Sequence, residues 1–270
     1  MKILLNNNDL NEALNNVSNL GFVPTMGSLH KGHISLIKRS KKVCNQTIVS
    51  IYVNPKQFNN KKDFKNYPRN KKRDLSILKK LKVNFVYLPK YKYIYDFNRK
   101  LKIELNKKDN ILCAKFRKGH FEGVIDIMDR LVQKIKPKKI FMGEKDLQQL
   151  HLVKKYLEKK YNCKIIKCKT IRDRHKLALS SRNLHLNRME LNLARKFTQE
   201  LILLKKKSLK IRNLKKFLYS QKKEFIKKYN IKIEYLELRN ESNLKISNKI
   251  KNSKILVAYY INKIRLIDNL

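Results

Sequence analysis

The stretch GFVPTMGSLHKGH, Gly21 to His33, joins an apolar run of strand length to a Gly-containing turn and then to the start of an amphipathic helix near His30. Strand, tight turn and helix in that order are the opening unit of a parallel sheet with crossover helices. In such sheets ligands sit beyond the carboxyl ends of the strands, where a helix N-terminus offers unpaired amides and partial positive charge to a phosphate. His30 and His33 are three residues apart and share one side of that helix, within reach of a phosphate chain. Gly32 between them removes a side chain, so that a base or ribose can lie against the backbone. A plainer reading of the same pattern is that the histidines cap or solvate the first turn. Taken alone, the motif leaves both readings open.

Outward from this stretch, apolar runs alternate with amphipathic segments of helical period. The spacing predicts strands over 21–25, 47–53, 83–88, 139–142 and 164–167, with helices over 32–43, 70–81, 123–136 and 145–161. After about Lys169 the pattern changes to helices over 188–206 and 211–229 and strand-like runs over 233–238, 255–261 and 264–267. The fold class expected is α/β: a Rossmann-like parallel-sheet nucleotide-binding domain over 1–169, then a smaller mixed α/β C-terminal domain over 170–270. No Pro- or Ser-rich linker marks the junction.

The chain has 270 residues, 42% apolar, with 13 Tyr and 11 Phe, enough for globular packing despite its many lysines. Its formal charge of +45 has two readings. It either attracts a nucleic acid or anionic membrane, or reflects codon composition that enriches Lys, Asn and Ile. Lysines fall between apolar positions along the whole chain, as in 205–216, which favours the second reading, so no specific nucleic-acid partner is expected. Cys44, Cys113, Cys163 and Cys168 form no CxxC pair and no metal-type spacing, and read as reduced core thiols. The longest apolar run, 255–261, is far too short to span a bilayer, so no membrane association and a cytoplasmic location are expected.

Further blocks carry chemistry. In VNPKQF, 53–58, Asn54 and Gln57 supply neutral amides that can hold hydroxyls and a carboxylate, although Asn-Pro also starts turns. In GEKDLQQL, 143–150, Lys145 offers a mobile charge for phosphate, Asp146 an acceptor for ribose hydroxyls, and Gln149 a second amide. In LSSRN, 179–183, Ser180, Ser181 and Arg182 can follow phosphoryl oxygens as charge shifts. FRKGHFEGV, 116–124, holds His120 beside a loop that leads into a helix and reads as support for a wall of the site. LELR at 236–239 and RLIDN at 265–269 close the series.

Together, in this order and over nearly the whole chain, these blocks resemble the pantothenate synthetase family. That family lies within the HxGH nucleotidyltransferase superfamily, which includes class I aminoacyl-tRNA synthetases. The resemblance implies ATP-dependent condensation of pantoate with β-alanine through a pantoyl-adenylate, with release of AMP and pyrophosphate. It implies ATP contacts at Met26, Gly27, Ser28, Leu29, His30, Lys31, Gly32, His33, Gly143, Glu144, Lys145, Asp146, Ile171, Leu179, Ser180, Ser181 and Arg182. Pantoate and β-alanine contacts fall to Asn54, Gln57 and Gln149, and catalytic roles to His30, His33, Lys145 and Arg182, with His33 the presumed proton donor. Magnesium is expected with ATP, and Asp74 is a possible outer contact for it. A homodimer is expected, and a lid drawn from 59–69 or from the C-terminal domain.

Lys118, Met142 and Lys31 depart from the family's usual proline, phenylalanine and acidic or small residue. Lys31 places a cation at a helix start, unfavourable by about 0.3 to 1 kcal/mol when exposed. A rival member of the superfamily with a phosphorylated acceptor would need fixed cations where Asn54, Gln57 and Gln149 stand.

Overall fold

The computed structural model describes residues 1–95 and 103–270. The chain divides into two compact units, Met1–Glu144 with Leu152–Lys169, and Lys145–His151 with Thr170–Leu270.

The first unit is built on six strands: β1 (Lys2–Leu4), β2 (Leu20–Thr25), β3 (Gln46–Ile51), β4 (Phe85–Tyr87), β5 (Lys139–Gly143) and β6 (Lys164–Cys168). They pair in parallel in the order β1-β4-β3-β2-β5-β6. β2 lies between β3 and β5, so the direction of winding reverses beside it. A crevice at such a switch point opens beyond the carboxyl ends of the strands, here past Thr25, Ile51 and Gly143. The helices up to the end of this unit are α1 (Asn7–Leu14), α2 (Lys31–Val43), α3 (Lys61–Asn66), α4 (Lys71–Lys80), α5 (Tyr91–Ile94), α6 (Leu112–Phe116), α7 (His120–Ile135) and α8 (Leu147–Tyr161).

The core follows from the two periodicities. β2 and β3 are buried on both faces, the condition of a parallel strand covered by helices on each side. α2 turns Leu36 and Ile37 inward and α4 turns Leu78 inward, against Val23, Val49, Val86 and Phe141. α7 is buried almost all round, and its charges are paired to permit it: Arg130 Nε donates to Asp126 at 2.6 Å, and Tyr161 Oη to Asp129 at 2.8 Å.

Several elements differ from what the periodicity predicts. β1 and α1 carry no periodic signal: β1 has three residues, two of them exposed, and α1 is a polar NNDLNEAL stretch whose start is fixed by the Asn6 side chain accepting from Asp9 N. α7 begins at His120 rather than at 123, because Gly119, left-handed at φ 82°, starts the helix three residues earlier. The helix expected from 145 starts at Leu147 after a 3₁₀ turn, Glu144–Asp146. α3, α5 and α6 are too short to show a period.

In the second unit, α9 (Arg188–Ser208) and α10 (Leu214–Tyr229) pack on an antiparallel sheet of β7 (Lys232–Asn240), β8 (Ser253–Ile261) and β9 (Ile264–Asn269). Phe197 stands edge-on to Tyr259 at 4.6 Å and to Phe225 at 5.4 Å between centroids, which fixes α9 on β8. α10 starts at Leu214 rather than 211 because the Asn213 side chain caps it, accepting from Lys216 N at 3.1 Å.

All four cysteines are free and buried. Burial pushes the thiols of Cys44, Cys163 and Cys168 above their ordinary range, so they stay protonated and unreactive at neutral pH. Among the described residues no helix is long and apolar enough to cross a membrane.

Candidate active site

The loop after β2 is held at both ends. Thr25 Oγ1 donates to Ser50 O at 2.7 Å and accepts from Gly27 N at 3.2 Å, so the turn starts from a fixed point on β3. Gly27 and Ser28 both take left-handed backbone, φ 81° and 53°, a conformation that glycine adopts freely and serine at some cost. What holds them there is Asp74, in the first turn of α4 and 1% exposed. Its Oδ2 accepts from Ser28 N and its Oδ1 from Leu29 N, each at 2.7 Å.

Asp74 thereby corrects one expectation. Both its oxygens are taken by amides in a buried place, so it anchors the loop and is no outer magnesium contact. The N–H groups of Ser28 and Leu29 bond to it, and the Leu29 side chain belongs to the core. Met26 is half-buried and lies 3.0 Å through its sulfur from Gln57 Nε2.

The helix start bears out the capping reading of HxGH. His30 is the N-cap of α2: its Nδ1 accepts from Gly32 N at 3.1 Å, and His33 Nδ1 accepts from His30 N at 3.3 Å. An Nδ1 that accepts is unprotonated, so each neutral ring carries its proton on Nε2 and presents an N–H donor there. The rings lie 4.1 Å apart, centroid to centroid. Capping thereby sets the tautomer of both rings. The reason for Gly32 also changes: a Cβ there would lie 2.7 Å from His30 Cε1, so the glycine makes room for the capping ring. Lys31 is exposed.

After β3, Asn54 is held from several sides within the protein. It is fully buried, its Nδ2 donates to Gly123 O at 2.9 Å, and its Oδ1 accepts from Tyr95 Oη at 2.7 Å and Lys56 N at 3.2 Å. These bonds commit the amide to holding the Pro55–Gln57 turn against α7. Gln57 itself is 8% exposed. Its carbonyl accepts from His120 Nδ1 at 2.7 Å, while His120 Nε2 accepts from Arg117 at 2.7 Å. The guanidinium fixes the His120 tautomer, and the ring in turn fixes the backbone of Gln57. α7 approaches this turn so closely that a Cβ on Gly123 would lie 2.6 Å from Lys56 C and 2.9 Å from Gln57 Cα.

β5 ends at Gly143, beside which an added Cβ would meet nothing within 4 Å, and Glu144 follows, 4.0 Å from Lys167 Nζ. The other predicted positions belong to the second unit. Lys145 Nζ donates to Leu179 O at 3.5 Å, which joins Lys145 to the start of LSSR. Ser180 caps the Ser181–His185 turn, its Oγ accepting from Arg182 N at 3.3 Å, and Leu179 N donates to Ile171 O at 3.0 Å. Ser181 is buried, whereas Arg182, Asp146 and Gln149 are half-buried.

Sequence reasoning gave no role to Asp74 as a loop anchor, to Arg117, or to Arg172, Asp268 and Asn269. RLIDN was visible as a block, but nothing local said what its carboxylate and amide hold.

Comparisons with known proteins show the family. A family model described as Pantoate-beta-alanine ligase matches residues 2–270. The pantothenate synthetase of Thermosipho africanus is 34% identical, covering 96% of this chain and 94% of its own length. That of Francisella tularensis subsp. novicida is 38% identical, covering 93% and 88%. The crystal structure of pantothenate synthetase from Thermus thermophilus superposes with a TM-score of 0.91 at 26% identity, over 100% of this chain and 99% of that one. Pantoate-beta-alanine ligase from Francisella tularensis, solved with beta-gamma ATP and beta-alanine, gives 0.84 at 37% identity, over 100% and 97%. With a full-length family match, relatives above 30% identity and the same fold, the chain belongs to the pantoate–β-alanine ligase family.

Proposed function

We propose that this chain condenses pantoate with β-alanine, using ATP to convert the pantoate carboxylate to a pantoyl-adenylate and releasing AMP and pyrophosphate. The observation that carries this reading is the start of α2, where both histidines spend Nδ1 on the helix cap and so direct an Nε2–H donor outward from the ring.

A carboxylate is already nucleophilic at neutral pH and needs orientation and charge neutralisation more than a base. Its oxygen attacks the α-phosphorus, and the bond from phosphorus to the pyrophosphate oxygen breaks. His30, His33, Lys145 and Arg182, with Ser180 and Ser181, are the groups assigned to the charge that moves toward pyrophosphate. The amine of β-alanine then attacks the acyl carbon, the C–N bond forms, the bond to AMP breaks, and the amine gives up a proton. Gln57 and Gln149 are the amides assigned to pantoate, and the 59–69 segment is assigned to covering the adenylate. Magnesium is proposed to enter with ATP, as part of the substrate. Magnesium bound to ATP would keep phosphate oxygens and several waters as ligands and so would need few protein groups.

Purified protein supplied with ATP, magnesium, pantoate and β-alanine should release AMP only when both organic substrates are present, and no AMP under any salt or temperature condition would sink the proposal. In the same assay His33→Ala is expected to slow AMP formation by about 10²-fold; an unchanged rate would remove His33 from the chemistry. His120→Ala frees the Gln57 carbonyl and should raise KM for pantoate by about five- to tenfold, with KM for ATP unmoved. An equal rise in both constants would show that His120 supports the fold and not Gln57.

A further inference from the structure

Within the second unit, β9 ends in a pair of buried polar residues, Asp268 at 4% and Asn269 at 2% exposure, that the proposed chemistry does not use. Asn269 reaches Lys145 directly, and Asp268 reaches Arg172, which lies beside the segment that leads to Leu179. Asn269 Nδ2 donates to the backbone carbonyl of Lys145 at 3.0 Å. Asp268 receives Arg172 in a two-pronged pair, Nη1 to Oδ2 at 2.7 Å and Nη2 to Oδ1 at 2.8 Å. Arg172 also donates to Asn269 O at 2.9 Å, and Asp268 Oδ1 accepts from Asn269 N at 2.7 Å, so the two residues act as one unit.

Arg172 in turn forms a bridge with Ala178, and its neighbour Ile171 accepts from Leu179 N, so this guanidinium lies at the root of the LSSR loop. Asn269 therefore holds the Lys145 backbone directly, while Asp268 fixes Arg172, whose bridge to Ala178 and whose neighbour Ile171 hold the backbone up to Leu179. Between them runs the bond from Lys145 Nζ to Leu179 O. A two-pronged carboxylate pair and a buried amide are geometrically demanding, and they restrict both loops to one arrangement.

We propose that Asp268 and Asn269 are positioning residues that set Lys145 against the Leu179–Arg182 loop, so that β9 governs how the chain handles the phosphates of ATP. This rests on reading Lys145 as a phosphate contact. Neither residue touches the reacting atoms; both act through the placement of others.

The test uses the full chain and the AMP assay with Asn269→Ala, the isosteric Asn269→Asp, Lys145→Met and each double variant. Asn269→Asp keeps the shape and loses the donor to the Lys145 carbonyl, and remains informative should Asn269→Ala fail to fold. Each Asn269 variant is expected to raise KM for ATP or lower kcat by about 10²-fold, the cost of a small misplacement, with KM for pantoate unchanged. Added to Lys145→Met, it should cost little more, because the group it positions is gone. If the losses multiply in the double variants, or KM for pantoate rises equally, Asn269 is merely structural and the proposal fails while the role of Lys145 stands. If Lys145→Met itself turns over like the unaltered chain, the phosphate reading of Lys145 fails and takes the proposal with it.

Discussion

Asp74→Ala is expected to lower stability by about 3 to 5 kcal/mol and to slow AMP formation by about 10²-fold, although Asp74 touches no substrate in the proposed reaction. Its carboxylate takes the amides of Ser28 and Leu29 at 2.7 Å each, at a site 1% exposed. Removing it leaves two buried donors unpaired, and bonds to a charged acceptor are among the stronger ones. The turn then loses what keeps Ser28 at φ 53°, and the helix start that follows it shifts with His30 and His33. Asp74→Asn should fall between, since one side-chain oxygen still accepts while the new NH2 group confronts a backbone N–H. Urea unfolding measures the first effect and steady-state AMP release the second. Native turnover in Asp74→Ala would show that the loop holds its shape without the anchor.

Gly123→Ala should also destabilise the chain, by about 1 to 3 kcal/mol, and this runs against simple propensity. Alanine in a helix interior is favoured over glycine by about 1 kcal/mol. Here the added Cβ would lie 2.6 Å from Lys56 C and 2.9 Å from Gln57 Cα, and a backbone cannot rotate out of the way as a side chain can. The Asn54 bond to Gly123 O holds the turn against the helix and closes the route of escape. The turn must move by a fraction of an ångström or more, carrying Gln57 with it, and kcat/KM for pantoate should fall by about 10²-fold. A variant that melts higher and binds pantoate normally would refute the close packing of α7 on this turn.

How much of this was legible in the sequence depends on how far each signal reaches along the chain. The strand-turn-helix at Gly21 to His33, the alternation that makes the first unit α/β, and the change of pattern after Lys169 are all local, because period 2 and period 3.6 are written into neighbouring residues. The spaced blocks added the family in the same way. Boundaries erred where a cap or a glycine decided them, as at Gly119 and Asn213, and elements shorter than a period went unseen.

Roles were another matter, because they depend on partners that sequence spacing does not show. Nothing in the spacing shows that Asn54 holds Gly123, 69 residues on. Asp74 reads as a metal contact until the amides 46 and 45 residues before it occupy both oxygens. Asn269 has no reading at all without the Lys145 carbonyl, 124 residues earlier. By itself, then, the sequence determined the layered fold, the family and the loops that bear chemistry, since those follow from local pattern. Only the tertiary structure decided which polar groups hold which others still, because every buried donor and acceptor must find a partner and the chain supplies most of them from far away.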